Sequence, residues 1–597
     1  MTTVRLAISQ FRPQKGEYAQ NIARIGGVIT QAARLHPPPE LIVFPETATS
    51  GYFVEGGVKE LAVTAGALAR DLAAAYEGPA IDVAIGFYER FQNHIYNSAL
   101  YVTLGKKTPE IRHVHRKVFL PTYGVFDEER FVDRGQDGVR AFDTSWGGRA
   151  AILICEDAWH SLAATVAALE GAQLVIVPSA SPARGMGGTD DADCDDETLP
   201  ASVVRWERIV RGIAEEHGVF VALANLVGFE GGKGFPGASA VIDPNGKVLV
   251  RGPLFEEALV TADIDLDALT NARSDSPLLA DLQSALPVLT RSLSGTKQSQ
   301  PVKFDPAPNG GRPTHDARRT TDAPIVQPVS RDEDPLAIDP ELVRKWLVSF
   351  LRDEVRDRRG FQKGIIGLSG GVDSALAAVL AVEALGKENV IGVRMPYKTS
   401  SPESLEHAQI LIDQLGIAAV TIDITAAVDG YFKNIGGDEH RLGNVMARER
   451  MIVLFDLSAK YKALPIGTSN KSERLLGYFT WHGDDAPPVN PLGDLFKTQV
   501  WTLARHVGVP EAIVNKPATA DLIKGQTDEG DLGVSYPKAD RILHHLIRGE
   551  EPVGFTPQEV EIVRKRLDST HWKRRLPTVA VLSQTAIGEF YLRPVDY

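Results

Sequence analysis

Residues 364 to 376 read Gly364-Ile-Ile-Gly-Leu-Ser-Gly-Gly-Val-Asp-Ser-Ala-Leu376. Ile365, Ile366 and Leu368 form the short apolar run of a buried parallel strand. Gly370 and Gly371 follow, where the chain can turn tightly and its backbone can approach a ligand. Asp373 and Ser374 then open a helix whose apolar face is Ala375, Leu376, Val379 and Leu380. A helix N-terminus offers unpaired N–H groups and partial positive charge, so this strand, turn and helix suit an anion. The Gly-Lys-Ser/Thr ending of a Walker loop is missing. Two adjacent glycines alone would be an ordinary turn between strand and helix. The full run Ser369-Gly370-Gly371-Val372-Asp373-Ser374, set between strand and helix, favours an anion-binding loop over that plain turn.

The surrounding chain repeats the same alternation. Asp339-Pro340-Glu341 is a helix start, with Asp339 as cap and Pro340 in the first turn. After the loop come strands at 390–395, 419–424 and 464–468, separated by helices at 403–415 and 444–458. This predicts an α/β unit over 336–597 with a doubly wound, Rossmann-like parallel sheet, whose ligand sits at the carboxyl ends of the strands. Ahead of it, from about residue 292 to 335, periodicity stops. Pro306-Ala-Pro-Asn-Gly-Gly-Arg-Pro313 is rich in proline and glycine, so 291–335 reads as a linker.

Residues 1–290 form a second α/β unit. Strands are expected at 4–10, 41–45, 81–88, 98–103, 150–156, 174–178, 219–225, 238–243 and 259–265, with helices at 21–35, 58–75, 161–169 and 199–217. Three strand ends carry chemistry: Phe44-Pro-Glu46, His115-Arg-Lys117 and Ile154-Cys155-Glu156-Asp157. A thiol becomes a nucleophile when a base takes its proton and a cation steadies the developing oxyanion, and these segments supply all three groups. Taken singly, Cys155 is a small buried hydrophobe and Lys117 a solvated charge. Cys194 lies in the acidic run Asp190-Asp-Ala-Asp-Cys-Asp-Asp196, which disfavours a thiolate, so it reads as non-catalytic. The roles of Glu156 and Asp157 are open.

Composition sets outer bounds. A chain of 597 residues exceeds one core. No apolar stretch is long enough to span a bilayer, and no signal-peptide core precedes the first strand. Two cysteines far apart argue for a reducing, cytoplasmic compartment and against disulfides or structural zinc. A net charge of −13 disfavours a nucleic-acid surface.

The phosphate loop resembles that of the ATP pyrophosphatases, and the three strand ends resemble the Glu-Lys-Cys triad of the nitrilase amidase superfamily. Downstream of the loop, Asn444-Val-Met-Ala-Arg448, Gly467-Thr-Ser-Asn-Lys-Ser-Glu473, Gly483-Asp484, Asn490-Pro-Leu-Gly-Asp-Leu-Phe-Lys497, Pro517-Ala-Thr-Ala-Asp521 and Asp528-Glu-Gly-Asp531 follow in order. With the first half, they make the whole chain similar to the glutamine-dependent NAD synthetase family. The resemblance implies a four-layer α-β-β-α nitrilase-like sandwich followed by the ATP pyrophosphatase domain. It implies Glu46 as base, Lys117 as oxyanion stabiliser and Cys155 as nucleophile.

Glutamine is then expected at Tyr123, Glu128 or Glu129, Ser202 and either Arg205 or Arg208. Arginines at that spacing equally suit a solvated helix face. ATP is expected at the loop residues Ser369 to Ser374, with Arg448, Thr468 and Lys497. Deamido-NAD is expected at Asn444, Asp484 and Lys573, although Lys573 to Arg575 also read as a solvated charge run. Mg²⁺ is expected between Asp373 and Glu473. A homo-oligomer, dimer or larger, is implied by resemblance only. Gly443, Ser469 and Trp481 depart from the family's usual residues, which bears on the deamido-NAD contacts. The rival reading is an ATP pyrophosphatase acting on a nucleobase or RNA, which a strongly basic extra segment would favour.

Overall fold

The structure is a computed structural model, and it describes residues 3–54, 57–123, 126–183, 199–230, 232–294, 334–519 and 527–575. Cys194, Asp521 and most of the expected linker lie outside these residues.

Alternation builds the first half. Along Thr3–Gln10, Val4, Leu6 and Ile8 pack toward one core and Ala7 toward another. Leu41 and Val43 face the first of these cores, and Ile42 the second. A strand that is apolar on both faces must be covered on both faces. The first six-stranded sheet has, in spatial order, Ala258–Asp265, Thr3–Gln10, Leu41–Val43, Ile81–Phe91, His94–Leu104 and Glu110–Arg116. The second has Val248–Arg251, Ala240–Ile242, Phe220–Asn225, Leu174–Ser179, Arg149–Ile152 and Ala141–Asp143. Helices Tyr18–Ala33 and Ala65–Ala75 cover the outside of the first sheet. Helices Ser161–Leu169 and Ala201–His217 cover the second, so the layering is α-β-β-α.

Several boundaries differ from the expectation, each for a local reason. The helix expected over 58–75 is two helices, Val58–Leu61 and Ala65–Ala75. Between them Val63 bridges Glu89, and Thr64 caps the second by accepting from the Ala67 amide. The helix expected to open at Asn444 begins earlier, over Glu439–Tyr461, because Asp438 accepts from the Arg441 amide. A helix over Leu278–Ser294 was hidden in the sequence by Pro287 inside it. The strands Glu110–Arg116, Ala141–Asp143, Val227–Glu230, Lys233–Pro236 and Val248–Arg251 are additional.

In the second half, four strands run parallel in the order Ala418–Thr421, Val390–Arg394, Lys363–Gly367, Ala463–Pro465. The order reverses at Lys363–Gly367, so the loop that leaves this strand sits at the topological switch point. Asp339 caps Pro340–Arg352 as expected, accepting from the Glu341 and Leu342 amides. The two halves meet where Phe229 and Phe255 pack edge-on against Trp346, with ring centroids 4.9 Å apart in both cases. Arg12 reaches across to Asp357 at 3.0 Å and also pairs with Asp353.

Candidate functional site

Two sites stand on the chain, each at the carboxyl end of a sheet. In the first half, the strand ends converge as the motifs suggested. Lys117 is fully buried and donates from Nζ to Glu46 Oε1 and to Glu128 Oε1, both at 2.7 Å. Glu46 also accepts from Asn97 Nδ2 and from the Ala180 amide, both at 2.8 Å. Burial opposes the Lys117 charge, but Glu128 and Glu46 outweigh it and hold the ammonium well above the usual lysine range. A solvated lysine is therefore excluded. Burial, with Glu46 nearby, pushes Glu128 up to about 7 against the pull of Lys117. The Tyr52 hydroxyl donates to the same Glu128 oxygen.

Cys155 is buried just past Arg149–Ile152, at the head of a short turn of 3₁₀ helix. Its φ is +46°, a conformation that side-chain-bearing residues rarely adopt and that needs support from its surroundings. The Ser179 hydroxyl donates toward Sγ at 3.5 Å. Burial pushes the thiol pKa well up, and Glu46 adds to this while Lys117 opposes it. The sulfur is thus held protonated, within the field of a carboxylate and an ammonium. That arrangement can generate a thiolate when a base removes the proton, and can then stabilise an oxyanion.

The other glutamine-site candidates fall into two groups. Tyr123 donates to Glu156 at 2.9 Å, so it is tied to the residue after Cys155. Ser202 and Arg208 lie on Ala201–His217, Ser202 half-buried and Arg208 exposed. Arg205 on the same helix lies over the Trp159 ring at 5.8 Å. A cavity of about 240 Å³ opens beside Tyr52, Phe126 and Glu128, and Cys155 is not in its lining.

In the second half, a cavity of about 880 Å³ is lined by Ser369, Asp373, Ser374, Thr468, Glu473 and Arg448, among others. It also touches Asn444, Asp484 and Lys573. The loop is self-braced: Ser369 and Ser374 hydroxyls lie 3.1 Å apart, and Ser374 Oγ donates to the Gly371 carbonyl at 3.0 Å. Gly370 has φ +76°, and a Cβ there would collide with the Ser404 carbonyl. Gly371 has φ −99° and meets only Ser369 Oγ, so the steric demand falls on Gly370.

Below the cavity floor, Lys497 is buried and does not line it. Its Nζ donates to Asp373 at 2.6 Å and to Glu473 at 3.2 Å. Asn470 bridges the same two carboxylates, donating from Nδ2 to Asp373 at 2.9 Å and from its amide to Glu473 at 3.3 Å. Burial and the neighbouring Asp373 and Asp528 push Glu473 up to about 8 against the pull of Lys497. Among the described residues no cluster of three or more acidic, His or Cys side chains has the arrangement of a metal site, but Asp373 and Glu473 present hard oxygens to the cavity, and such a pair suits a divalent cation that takes its remaining ligands from phosphate oxygens.

The wall opposite the loop is held together by groups expected to touch the dinucleotide. Asp484 accepts from the Thr480 amide at 2.8 Å and is pushed up to about 6 by burial. Thr480 Oγ1 donates to Asn444 at 3.0 Å, and Arg448 donates to the Trp481 carbonyl at 3.1 Å. Lys573 is not a solvated charge: Nζ donates to the Gly477 and Phe479 carbonyls, both at 2.9 Å. Arg574 likewise donates to the Leu475 carbonyl at 2.8 Å and to the Leu567 carbonyl at 3.0 Å. Helix ends leave carbonyls unpaired, and these cations satisfy them. Asn97 and Tyr52 carried no sequence signal as site residues, and Asn470 and Asp528 stood in motifs with no role assigned, because each acts by holding or polarising another group.

Comparison with known proteins agrees with this division. A carbon-nitrogen hydrolase family model matches residues 5–274, and an NAD synthase family model matches residues 343–577. An NH(3)-dependent NAD(+) synthetase of Chlorobaculum parvum is 47% identical over 261 residues, covering 42% of this chain and 94% of the relative. One from Fusobacterium nucleatum is 45% identical over 249 residues, covering 40% of this chain and 96% of the relative. Among solved structures, a glutamine-dependent NAD+ synthetase from Acinetobacter baumannii, in complex with ADP, superimposes with a TM-score of 0.66 at 24% identity. That match covers 99% of this chain and 97% of the other. One from Cytophaga hutchinsonii gives 0.65 at 18% identity, covering 96% and 93%, and these two likenesses extend the fold agreement over both halves. The chain therefore belongs to the NAD synthase family, with a carbon-nitrogen hydrolase domain joined ahead of the synthase domain.

Proposed function

We propose that this chain is a glutamine-dependent NAD synthetase, in which the first half frees ammonia from glutamine and the second uses it to amidate deamido-NAD. The observation that carries this is the coexistence, on one chain, of a buried thiol–lysine–carboxylate cluster and a phosphate loop facing paired carboxylates. The relatives that match the second half alone are NH(3)-dependent by name, which leaves ammonia supply as the work of the first half. Their identity to the second half also disfavours a nucleobase or RNA acceptor.

In the first half, Glu46 takes the Cys155 proton and Sγ attacks the glutamine carboxamide carbon. Lys117 stabilises the oxyanion, and Glu46 returns the proton to the leaving ammonia. Water then hydrolyses the thioester to glutamate. Tyr123, Glu128, Ser202 and Arg208 shape the glutamine pocket. In the second half, Ser369 to Ser374 hold the phosphates of ATP with Thr468 and Arg448, while Lys497, which does not reach the cavity, holds Asp373 and Glu473 in place. Asp373 and Glu473 would hold Mg²⁺, which supplies charge neutralisation at the phosphates. The deamido-NAD carboxylate attacks the α-phosphorus and pyrophosphate leaves. Ammonia attacks the resulting acyl adenylate and AMP leaves. Asn444, Asp484 and Lys573 shape the dinucleotide side of the cavity. Ammonia must cross between the halves away from bulk water, where it is mostly ammonium.

We also place the protein in the cytoplasm as a homo-oligomer. Ile452 and Phe455, 62% and 43% exposed on Glu439–Tyr461, support an apolar contact face. Among the described residues, no helix is long and apolar enough to cross a membrane. The test supplies glutamine labelled with ¹⁵N in its side-chain amide, together with ATP, Mg²⁺ and deamido-NAD. Label in the carboxamide of NAD, with AMP as coproduct, is expected. ADP release, or NAD without label, would overturn the reading.

A further inference from the structure

The catalytic groups of the first half come from two different sheets. Glu46 and Lys117 leave the sheet that holds Leu41–Val43 and Glu110–Arg116, while Cys155 leaves the sheet that holds Arg149–Ile152. Sheets packed through apolar side chains have no directional bond to fix one strand end against another, yet the proposed chemistry depends on that spacing to a fraction of an ångström.

The Ala180 amide bonds across to Glu46, and Asp157 supplies the bonds that reach Lys117 and Cys155. Its side chain is fully buried two residues after the thiol. Oδ1 accepts from the Val118 and Phe119 amides at 3.0 and 2.9 Å, the two amides directly after Lys117. Oδ2 accepts from the Ile154 amide at 3.1 Å, directly ahead of Cys155. The same oxygen lies 2.9 Å from His115 Nε2, two residues ahead of Lys117. One carboxylate therefore grips the backbone just after Lys117 and just ahead of Cys155, and touches the His115 ring two residues ahead of Lys117. It also braces the positive φ of Cys155, a conformation held only where neighbours over-determine it.

Resting on the glutaminase reading, we propose that Asp157 is a positioning residue: it locks the Lys117 strand end to the Cys155 turn and so sets the distance across which thiol and ammonium cooperate. The chain contains its own control. Asp82 is also fully buried and also joins the two sheets, accepting from Tyr101, Thr103 and the Ser145 amide, but it touches neither strand end that carries a catalytic group.

Asp157→Asn and Asp82→Asn each keep shape and remove a buried charge and acceptor. In the full chain, D157N is expected to lower kcat for glutamine hydrolysis by about 100-fold and to leave KM within about threefold. The rate at which iodoacetamide alkylates Cys155 should fall in parallel, and synthesis with ammonium salts should persist. D82N should lower the melting temperature at least as much while keeping kcat within about threefold. If kcat in both variants merely follows their loss of stability, or if D157N keeps wild-type turnover, the proposal fails. If the wild-type chain itself does not hydrolyse glutamine, the glutaminase reading fails. The alkylation comparison still decides the role of Asp157 in that case.

Discussion

Glu46 depends on a residue that carries no chemistry. Gly86 lies in the neighbouring strand, and a Cβ there would sit 2.5 Å from Glu46 Cα and from the Thr47 amide nitrogen. Gly86→Ala must push the Glu46 backbone away. Glutamine hydrolysis is expected to fall by about 100-fold, with ammonium-supported NAD synthesis within about twofold of wild type. Steady-state assays with each nitrogen source check this, and an unchanged glutaminase rate would show that the strand end absorbs the methyl group. Glu128 makes a pH prediction. Its carboxyl group, pushed up to about 7, binds a proton as pH falls through that value and then accepts less well from Lys117 and Tyr52. Glutaminase kcat/KM should therefore rise as pH climbs through about 7. Glu128→Gln should lack that rise over about pH 5.5 to 8.5, and a rise kept in the variant would assign it to another group.

At the scale of elements, the phosphate loop was legible because its strand, glycines and helix are contiguous. The structure adds that Gly370 is required by the Ser404 carbonyl on a neighbouring helix, a contact 34 residues away in sequence that no local pattern announces. Gly370→Ala is expected to lose at least about tenfold in synthesis with either nitrogen source while glutamine hydrolysis survives. Equal loss of both activities would mean that the halves do not fold apart. Of the proposed triad, Glu46 and Cys155 were legible because each follows an apolar run, whereas Lys117 follows the largely polar strand Glu110–Arg116 and was legible through the resemblance. What escaped were distant partners: Asn470 stood in a motif but its bonds to two carboxylates did not show, and Lys573 was expected at the dinucleotide but not under the Gly477 and Phe479 carbonyls. The hairpin of Val227–Glu230 and Lys233–Pro236 escaped because short strands carrying Gly228 and Gly234, with Gly232 between them, read as turns. Lys573→Met should raise KM for deamido-NAD by about tenfold and leave KM for glutamine alone, measured with each substrate varied in turn.

For the whole molecule, the seam between halves is made by Trp346 lying on that hairpin, where a Cβ at Gly234 would run into the indole. Trp346→Ala removes a large, partly buried aromatic contact without touching either site. Each half-reaction should continue, but the ratio of glutamine-supported to ammonium-supported synthesis is expected to fall about fivefold as ammonia escapes. An unchanged ratio would place the crossing elsewhere.

The resting state of Cys155 also bears on survival under stress. Hydrogen peroxide reacts with thiolates far faster than with thiols, and the first product, a sulfenic acid, is the start of irreversible loss. A sulfur kept in its neutral form by a buried site and a nearby anion offers peroxide little to attack until glutamine arrives. The enzyme should therefore outlast, in an oxidising pulse, those cysteine hydrolases whose nucleophile is permanently ionised.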